Sequence, residues 1–240
     1  MTLNPQDAAA FFARVSRELS EQTGEEPTIE QITARAVDVV PACQECSLSL
    51  RMRRGQIETA ASTSSLADRA DALQYELDEG PCVDAIWDAE SHNLRDTETD
   101  QRWPRWGPAV AELGFRSVLA IRLTFAGETI GALNFYSKLP HAFDDDNVDL
   151  ALVYTSHAAT ALSTARALSG LQTALQSRHL IGVAQGILMQ RFHIDMDTAL
   201  EVLRRYSSHT NVKMREIAQM VVDERRLPEI GLPDAVGSGD

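Results

Sequence analysis

The sequence predicts an α/β domain, followed by a long helix and a small all-helical unit. Two segments between residues 46 and 136 have the alternating or β-branched pattern of strands, and each contains a turn signal. Residues 144–191 contain no proline, and apolar side chains recur there every three or four positions, as on one face of a helix. Two shorter stretches with the same helical spacing follow.

The N-terminal stretch predicts two helices separated by the polar turn TGEEP. The first spans residues 5–20. The second spans residues 28–40, because Thr28 and Gln31 have capping-box spacing at its start and Pro41 stops it.

Residues 46–61 predict the first β-hairpin. Serine and leucine alternate through residues 47–50, and the chain then turns at Arg54 and Gly55. Because neighbouring side chains of a strand point to opposite faces, this alternation indicates a hairpin with one buried face.

The richest β-branched and apolar runs predict a second hairpin. They occupy residues 117–124 and 129–136 and are joined across Ala126 and Gly127. The excursion between the two hairpins, residues 62–114, contains short helical pieces and irregular turns with proline and glycine. The two hairpins therefore supply the sheet of the α/β domain.

The C-terminal part predicts one long helix, or two in line, over residues 144–191, and two short amphipathic helices after it. Asp195 is the expected N-cap of the first short helix, and Thr210 or Asn211 is the expected N-cap of the second. The acidic end of the chain, residues 227–240, is interrupted by proline and glycine and is expected to be mobile.

Charge is distributed unevenly along the chain. The 240 residues carry a formal net charge of −13 and a pI near 4.9, which by itself argues against a nucleic-acid binder. Residues 178–226, however, hold eight basic residues against six acidic ones, a net charge of +2, whereas residues 1–177 carry −12. A local basic surface on the helical unit fits these numbers. Ordinary solvated helix faces with i,i+4 ion pairs fit them as well.

Several functional classes find no support in the sequence. No apolar run is long enough to span a membrane and the N-terminus lacks signal-peptide features, so we expect a cytoplasmic protein that does not contact a membrane. The six histidines have no metal-ligand spacing, and no catalytic or phosphate-binding motif occurs. We therefore expect no metal, no cofactor and no enzymatic activity.

The cysteines and two tryptophans are the remaining candidates for chemistry. Cys43 and Cys46 form a CxxC pair without a second ligand pair, and the pair follows a helix rather than opening one, so we interpret both as small buried residues. We interpret Cys82 as a packing residue, although an accessible thiol there could sense oxidants. Trp103 and Trp106 either line a small-molecule pocket or close the core. The candidate sensor pocket therefore comprises Cys82, Trp103 and Trp106.

Two stretches resemble known families. Residues 75–165 resemble the GAF domain, a sensory α/β fold of bacterial signalling proteins, through YELDEGPCVDAI, DTETDQRWPRW, LGFRSVLAIRL and GETIGALNFYSKLPHAFDDDNVDLA. Residues 175–226 resemble the ANTAR domain, a three-helix output module that binds RNA in transcription antitermination, through IGVAQGILM and NVKMREIA. Where that family typically has the lysine of an A-K-G triplet, this chain has Gln185, which can hydrogen-bond to RNA but adds no charge.

These resemblances imply a domain order. A GAF-like sensory domain with an antiparallel sheet and flanking helices is expected over residues 1–165, and a helical linker over residues 166–177. An ANTAR-like RNA-binding domain is expected over residues 178–226, ahead of the tail at residues 227–240.

The resemblances also imply a function. The expected protein is a signal-responsive antitermination regulator that binds tandem hairpins in nascent RNA and is controlled by the GAF domain, which can hold a small-molecule ligand. Because two ANTAR units would engage two hairpins, a homodimer through the 144–191 helix is expected. The alternative is a redox or small-molecule sensor whose helical C-terminus mediates protein–protein contacts. The expected RNA-binding residues are Arg178, Gln185, Arg191, Arg204, Asn211, Lys213 and Arg215.

Overall fold

The computed structural model describes residues 5–225. The predicted tail, residues 227–240, lies outside the described residues. Contacts divide the chain into two compact units, with the division between residues 168 and 169. Within residues 5–225, every helix is too short or too polar to span a lipid bilayer.

A five-stranded antiparallel sheet forms the centre of the first unit, with the strand order β2-β1-β5-β4-β3. Both predicted hairpins are confirmed: β1 (Glu45–Arg51) pairs with β2 (Ile57–Ser62), and β4 (Ser117–Phe125) pairs with β5 (Glu128–Ser137). The short edge strand β3 (Ser91–Leu94) pairs with β4 and was not predicted.

Helices cover both faces of the sheet. Three contribute to the core on one face: α1 (Pro5–Ser20), α2 (Glu25–Val39) and the first part of α6 (Asp145–Phe192). Three helices from the excursion between the hairpins cover the other face: α3 (Ser65–Leu77), α4 (Pro81–Trp87) and α5 (Trp106–Glu112). α2 begins at Glu25, so Thr28 is not at its start as predicted but inside it, where its hydroxyl donates to the Gly24 carbonyl at 2.7 Å.

Alternate side chains of β1 enter two different cores. Leu48 and Leu50 pack into the core beneath α1, α2 and α6. Ser47 and Ser49 are also fully buried, because the helices of the excursion cover the second face of the sheet. The hairpin thus has two buried faces at β1, and the prediction of a single buried face is wrong.

The predicted long helix is one continuous element. α6 has 48 residues, and at its start the Asp144 carboxylate accepts a hydrogen bond from the Asn147 backbone N–H at 2.9 Å. An acidic residue such as Asp144 before a helix satisfies one of the free N–H groups of the first turn. Within the first unit, the Tyr154 hydroxyl of α6 donates to the Ile32 carbonyl of α2 at 2.6 Å.

The second unit consists of the end of α6, α7 (Met196–Thr210) and α8 (Met214–Glu224). A small apolar core holds the three helices together. Its buried members are Ala184, Leu188, Ala199, Leu203, Ile217, Ala218 and Val221.

The caps of α7 and α8 differ in how well the sequence predicts them. Asp195 is the N-cap of α7, as predicted, and its carboxylate accepts from the Thr198 backbone N–H at 2.8 Å. The predicted N-cap of α8 is wrong, because Lys213 precedes that helix and Asn211 instead ends α7. Asn211 has a φ of 54°, a left-handed conformation that asparagine tolerates better than most residues.

Candidate functional site

Most of the predicted RNA-binding cations are free of protein partners. Arg178, Arg204, Lys213 and Arg215 are exposed, and their side chains form no hydrogen bond or ion pair with any residue in the range 5–225. The neighbouring Arg205 has the same character. The second unit therefore presents at least five cationic groups, on or beside its three helices, that have no protein partner among the described residues.

In the first unit, by contrast, many arginines form ion pairs with carboxylates. Every ion pair found among the described residues lies within residues 14–166. Arg116, for example, binds both Asp96 and Glu98 at 3.0 Å. The alternative for the second unit is an ordinary solvated helix surface with i,i+4 ion pairs. No such ion pair occurs in the described part of that unit.

Three predicted site residues have a local structural role. The Gln185 side-chain amide donates to the Met196 carbonyl at 3.1 Å and so links α6 to the start of α7. The Arg191 guanidinium donates to the Arg225 carbonyl at 2.8 Å, just beyond the end of α8. Asn211 is exposed at the end of α7.

A cleft of the second unit lies between α6 and α8. It has a volume of about 560 Å³, and its lining includes Ser177 and His179 of α6 and Arg215 and Gln219 of α8. Arg215 therefore lies beside the segment of α6 that contains Arg178.

The two predicted pocket tryptophans are buried in the core beneath α3 and α5. The Trp103 indole N–H donates to Asp84 at 2.8 Å, and that of Trp106 donates to the Ala70 carbonyl at 3.0 Å. Their rings meet edge to face with centroids 6.4 Å apart, a favourable aromatic arrangement. Cys82 is also fully buried, with its sulfur 3.2 Å from the Ser49 hydroxyl oxygen. Their role in binding a ligand stays a prediction.

A buried polar network, the Asp71 cluster, lies between α3 and the sheet. The Asp71 carboxylate accepts from the Tyr136 hydroxyl at 2.5 Å, the Asn134 amide at 3.0 Å and the Thr59 hydroxyl at 2.9 Å. The Asn134 amide also donates to Ser49 at 3.0 Å. All of these donors are neutral, and no described cation pairs with the carboxylate.

Burial controls the protonation of this cluster. Loss of water around the carboxylate raises the pKa of Asp71 to about 6, although its hydrogen bonds from Ser47, Tyr136 and Thr59 act in the opposite direction. The carboxylate is therefore close to a protonation change near neutral pH.

Burial also makes two of the thiols poor nucleophiles. It raises the pKa of Cys82 to about 12 and that of Cys46 well above its ordinary value. Cys43 is buried as well. Since the thiolate is the reactive form, the structure gives little support to cysteine redox chemistry.

The Asp71 cluster was not predicted from the sequence. Its members come from β1, β2, α3 and β5, and only the fold brings them together. A signal was available in the polar Ser47, Ser49 and Asn134 within otherwise apolar strands. Among residues 5–225, no group of histidine, cysteine and carboxylate side chains has the arrangement of a metal site.

Two family profiles match the chain. The GAF domain family matches residues 22–163, and the ANTAR domain family matches residues 169–222. Among curated proteins, no sequence matches the chain.

Solved structures share the fold of the first unit. The GAF domain of a phosphoenolpyruvate-protein phosphotransferase from Coxiella burnetii is 18% identical, with a TM-score of 0.55 over 70% of this chain and 99% of that chain. A domain of a two-component sensor histidine kinase protein from Sinorhizobium meliloti is 16% identical, with a TM-score of 0.53 over 63% and 99%. The free methionine-R-sulfoxide reductase of Neisseria meningitidis is 12% identical, with a TM-score of 0.55 over 70% and 95%. At these low identities, the comparisons show only that the first unit shares the fold of these proteins.

Proposed function

Because the chain belongs to the GAF domain family and carries an ANTAR domain after its GAF domain, we propose that it regulates transcription antitermination in response to a signal. In this proposal the ANTAR domain binds tandem hairpins in nascent RNA and prevents a terminator from forming. The GAF domain senses the signal and controls that binding. The protein acts by binding and not by catalysis.

The observation that carries the proposal is the set of unpaired cations on the second unit. RNA is a polyanion, and proteins hold its backbone through arginine and lysine side chains that are free to contact phosphate. Arg204 and Lys213 meet this requirement because they are exposed and without a protein partner among the described residues. Arg178 and Arg215 meet it in the same way.

The remaining predicted residues support the RNA face less directly. Gln185 and Arg191 are positioned by backbone carbonyls, so in this proposal they fix the packing of α6 against α7 and α8. Gln185 adds no charge where a lysine is typical of ANTAR domains. Affinity therefore depends more on the other cations than on this position.

A homodimer through α6 is part of the proposal. Leu168, Leu171 and Leu175 are 56%, 63% and 59% exposed, although leucine side chains of this size are usually covered. Their spacing of three and four residues places them on one face of the helix, as at the seam of a coiled coil. Two copies joined there would hold two hairpins at once, which can strengthen binding by about 10²–10⁴-fold without a new contact.

An electrophoretic mobility shift with a tandem-hairpin RNA tests the RNA-binding claim. Replacement of Arg204 and Lys213 by alanine is expected to weaken binding at least about tenfold, because two phosphate contacts are lost. The matched control is the pair Arg17→Ala and Arg53→Ala, which removes the same charge from exposed positions of the first unit. Equal affinity of the Arg204/Lys213 variant and the wild type would remove the proposed RNA face.

The redox alternative makes a different prediction. A variant with Cys43, Cys46 and Cys82 replaced by serine is expected to respond to peroxide as the wild type does, because the thiols are buried. The measurement is RNA binding before and after peroxide treatment. A wild-type response that disappears in the triple variant would favour the redox sensor instead.

A further inference from the structure

A cleft of about 360 Å³ opens on the first unit between the β1–β2 connection, the end of α3 and α4. Tyr75 and Trp87 contribute aromatic rings to its lining, and Glu58 and Asp78 contribute carboxylates. No basic side chain lines it, although Arg53 lies in the same β1–β2 connection. The cleft is of the size at which small-molecule sites begin.

One of the two rings already holds a cation of this protein. The Arg51 guanidinium carbon lies 4.6 Å from the centroid of the Trp87 ring, well within the range of a cation–π interaction. Trp87 is nevertheless 46% exposed, so part of its surface is left for a further contact. The Arg51 side chain is thus an internal example of the chemistry that this ring accepts.

The wall of the cleft is connected to the uncompensated charge of Asp71. The Tyr75 hydroxyl donates to Ser49 at 2.7 Å and lies 3.1 Å from the Thr59 hydroxyl, which donates to Asp71. Burial and the nearby Asp71 carboxylate both raise the pKa of Tyr75. A negative charge that lacks a cation partner therefore acts through a low-dielectric interior on the side chain that forms the wall.

We propose that this cleft binds a small organic cation, an ammonium or guanidinium compound, as the input of the sensory unit. The two aromatic rings supply the face of the site, Glu58 and Asp78 supply the opposite charge, and Asp71 adds a negative field from behind Tyr75. The proposal deepens the proposed function by assigning a chemical class to its signal.

Calorimetric titration of the full chain with tetramethylammonium and with methylguanidinium tests the site. At least one of the two is expected to bind saturably, whereas tert-butanol, a neutral molecule of similar shape to tetramethylammonium, is expected not to bind. Sodium chloride at matched concentration controls for ionic strength. Absence of saturable binding of both cations, or equal binding of tert-butanol, would overturn the proposal.

Two variants locate the binding. The double variant Glu58→Gln and Asp78→Asn is expected to bind the cation at least about tenfold more weakly, because it keeps the shape and removes both charges. Asn tolerates the left-handed φ of 49° at position 78, so the fold is retained. Trp87→Leu keeps an apolar side chain but removes the aromatic ring, and it is expected to bind the cation more weakly as well.

The control variant is Asp68→Asn, an exposed carboxylate of α3 that does not line the cleft, and its affinity should equal that of the wild type. Unchanged affinity in both cleft variants would contradict the proposal. RNA binding is measured on the same samples. A sample that binds the cation but not the RNA would contradict the proposed RNA binding and would leave the cation site supported.

Discussion

Asp71 is a buried carboxylate of α3 whose protonation is coupled to the stability of the first unit. Its carboxylate is fully buried and receives hydrogen bonds only from neutral groups of β2, β5 and β1. Neutral donors reduce the cost of burying a charge but do not cancel it, which is why burial still dominates the pKa. The same residue therefore makes the stability of the first unit depend on pH.

This dependence has a definite sign. The pKa of Asp71 is about 6 in the folded chain and near 3.8 in the unfolded chain, so the folded state binds this proton more tightly. The stabilisation is present at acidic pH and is lost as the pH rises through 6. Between pH 5 and pH 7 we expect the free energy of unfolding to fall by about 1 kcal/mol more in the wild type than in Asp71→Asn.

Urea unfolding of the two proteins at a series of pH values measures the difference. Glu112→Gln, which removes an exposed carboxylate of α5 that does not act on Asp71, should keep the wild-type slope. An identical pH slope for wild type and Asp71→Asn would contradict the burial argument.

Gly80 occupies a position in the first unit that a larger residue cannot fill without strain. It has a φ of 149°, and an added Cβ would lie 2.3 Å from the Gln74 side-chain oxygen, which accepts the Cys82 backbone N–H. Gly80→Ala is therefore expected to lower the free energy of unfolding by roughly 1–3 kcal/mol. Gly170→Ala, in an open stretch of α6, should instead raise helix stability by roughly 0.5–1 kcal/mol. Chemical denaturation followed by circular dichroism compares them, and equal stability of the two variants would contradict this account.

At the scale of elements, the sequence predicts most strands and helices because their apolar periods are strong. The second hairpin and α6 were predicted within one or two residues of their observed bounds. β3 was missed because its four residues, SHNL, carry little apolar pattern and the strand exists through its pairing with β4. The alternation at residues 47–50 predicts one buried face, and the second buried face was missed because a sequence does not show which helices will cover it.

The candidate sites follow the same division. The exposure of the cations of the second unit could be predicted from the sequence, because they occupy the polar positions of amphipathic helices. Polar residues within apolar strands indicate buried polar groups, but the membership of the Asp71 cluster could not be predicted. Its members are up to 89 positions apart, between Ser47 and Tyr136, and become neighbours only in the folded sheet. Asn211 was assigned to the wrong helix end because asparagine suits both an N-cap and a left-handed C-terminus.

The exposed leucines of α6 are the proposed contact between two copies of the chain. Replacement of Leu168, Leu171 and Leu175 by glutamine removes the apolar face and is expected to convert a homodimer into a monomer at micromolar concentration. Sedimentation velocity measures the change. Leu139→Gln, which changes a leucine that is 62% exposed in the first unit, should leave the association unchanged. A triple variant that remains dimeric would place the interface elsewhere.

For the whole molecule, the net negative charge of the chain opposes the binding of RNA. The first 177 residues carry −12, so a polyanion meets net repulsion except where the second unit offers its unpaired cations. Salt is expected to screen both that repulsion and the proposed phosphate contacts. Binding therefore has to be compared across salt concentrations and between variants of the same chain.

The salt dependence of RNA affinity in the full chain tests whether the cations of the second unit bind RNA. For the wild type and a tandem-hairpin RNA, we expect the logarithm of the affinity to fall linearly with the logarithm of the salt concentration. Alanine at Arg178, Arg204, Lys213 and Arg215 should reduce the steepness of that line by about 3, close to 0.7–0.9 per lost phosphate contact. Lines of equal slope for the two proteins would contradict the assignment of RNA binding to the cations of the second unit.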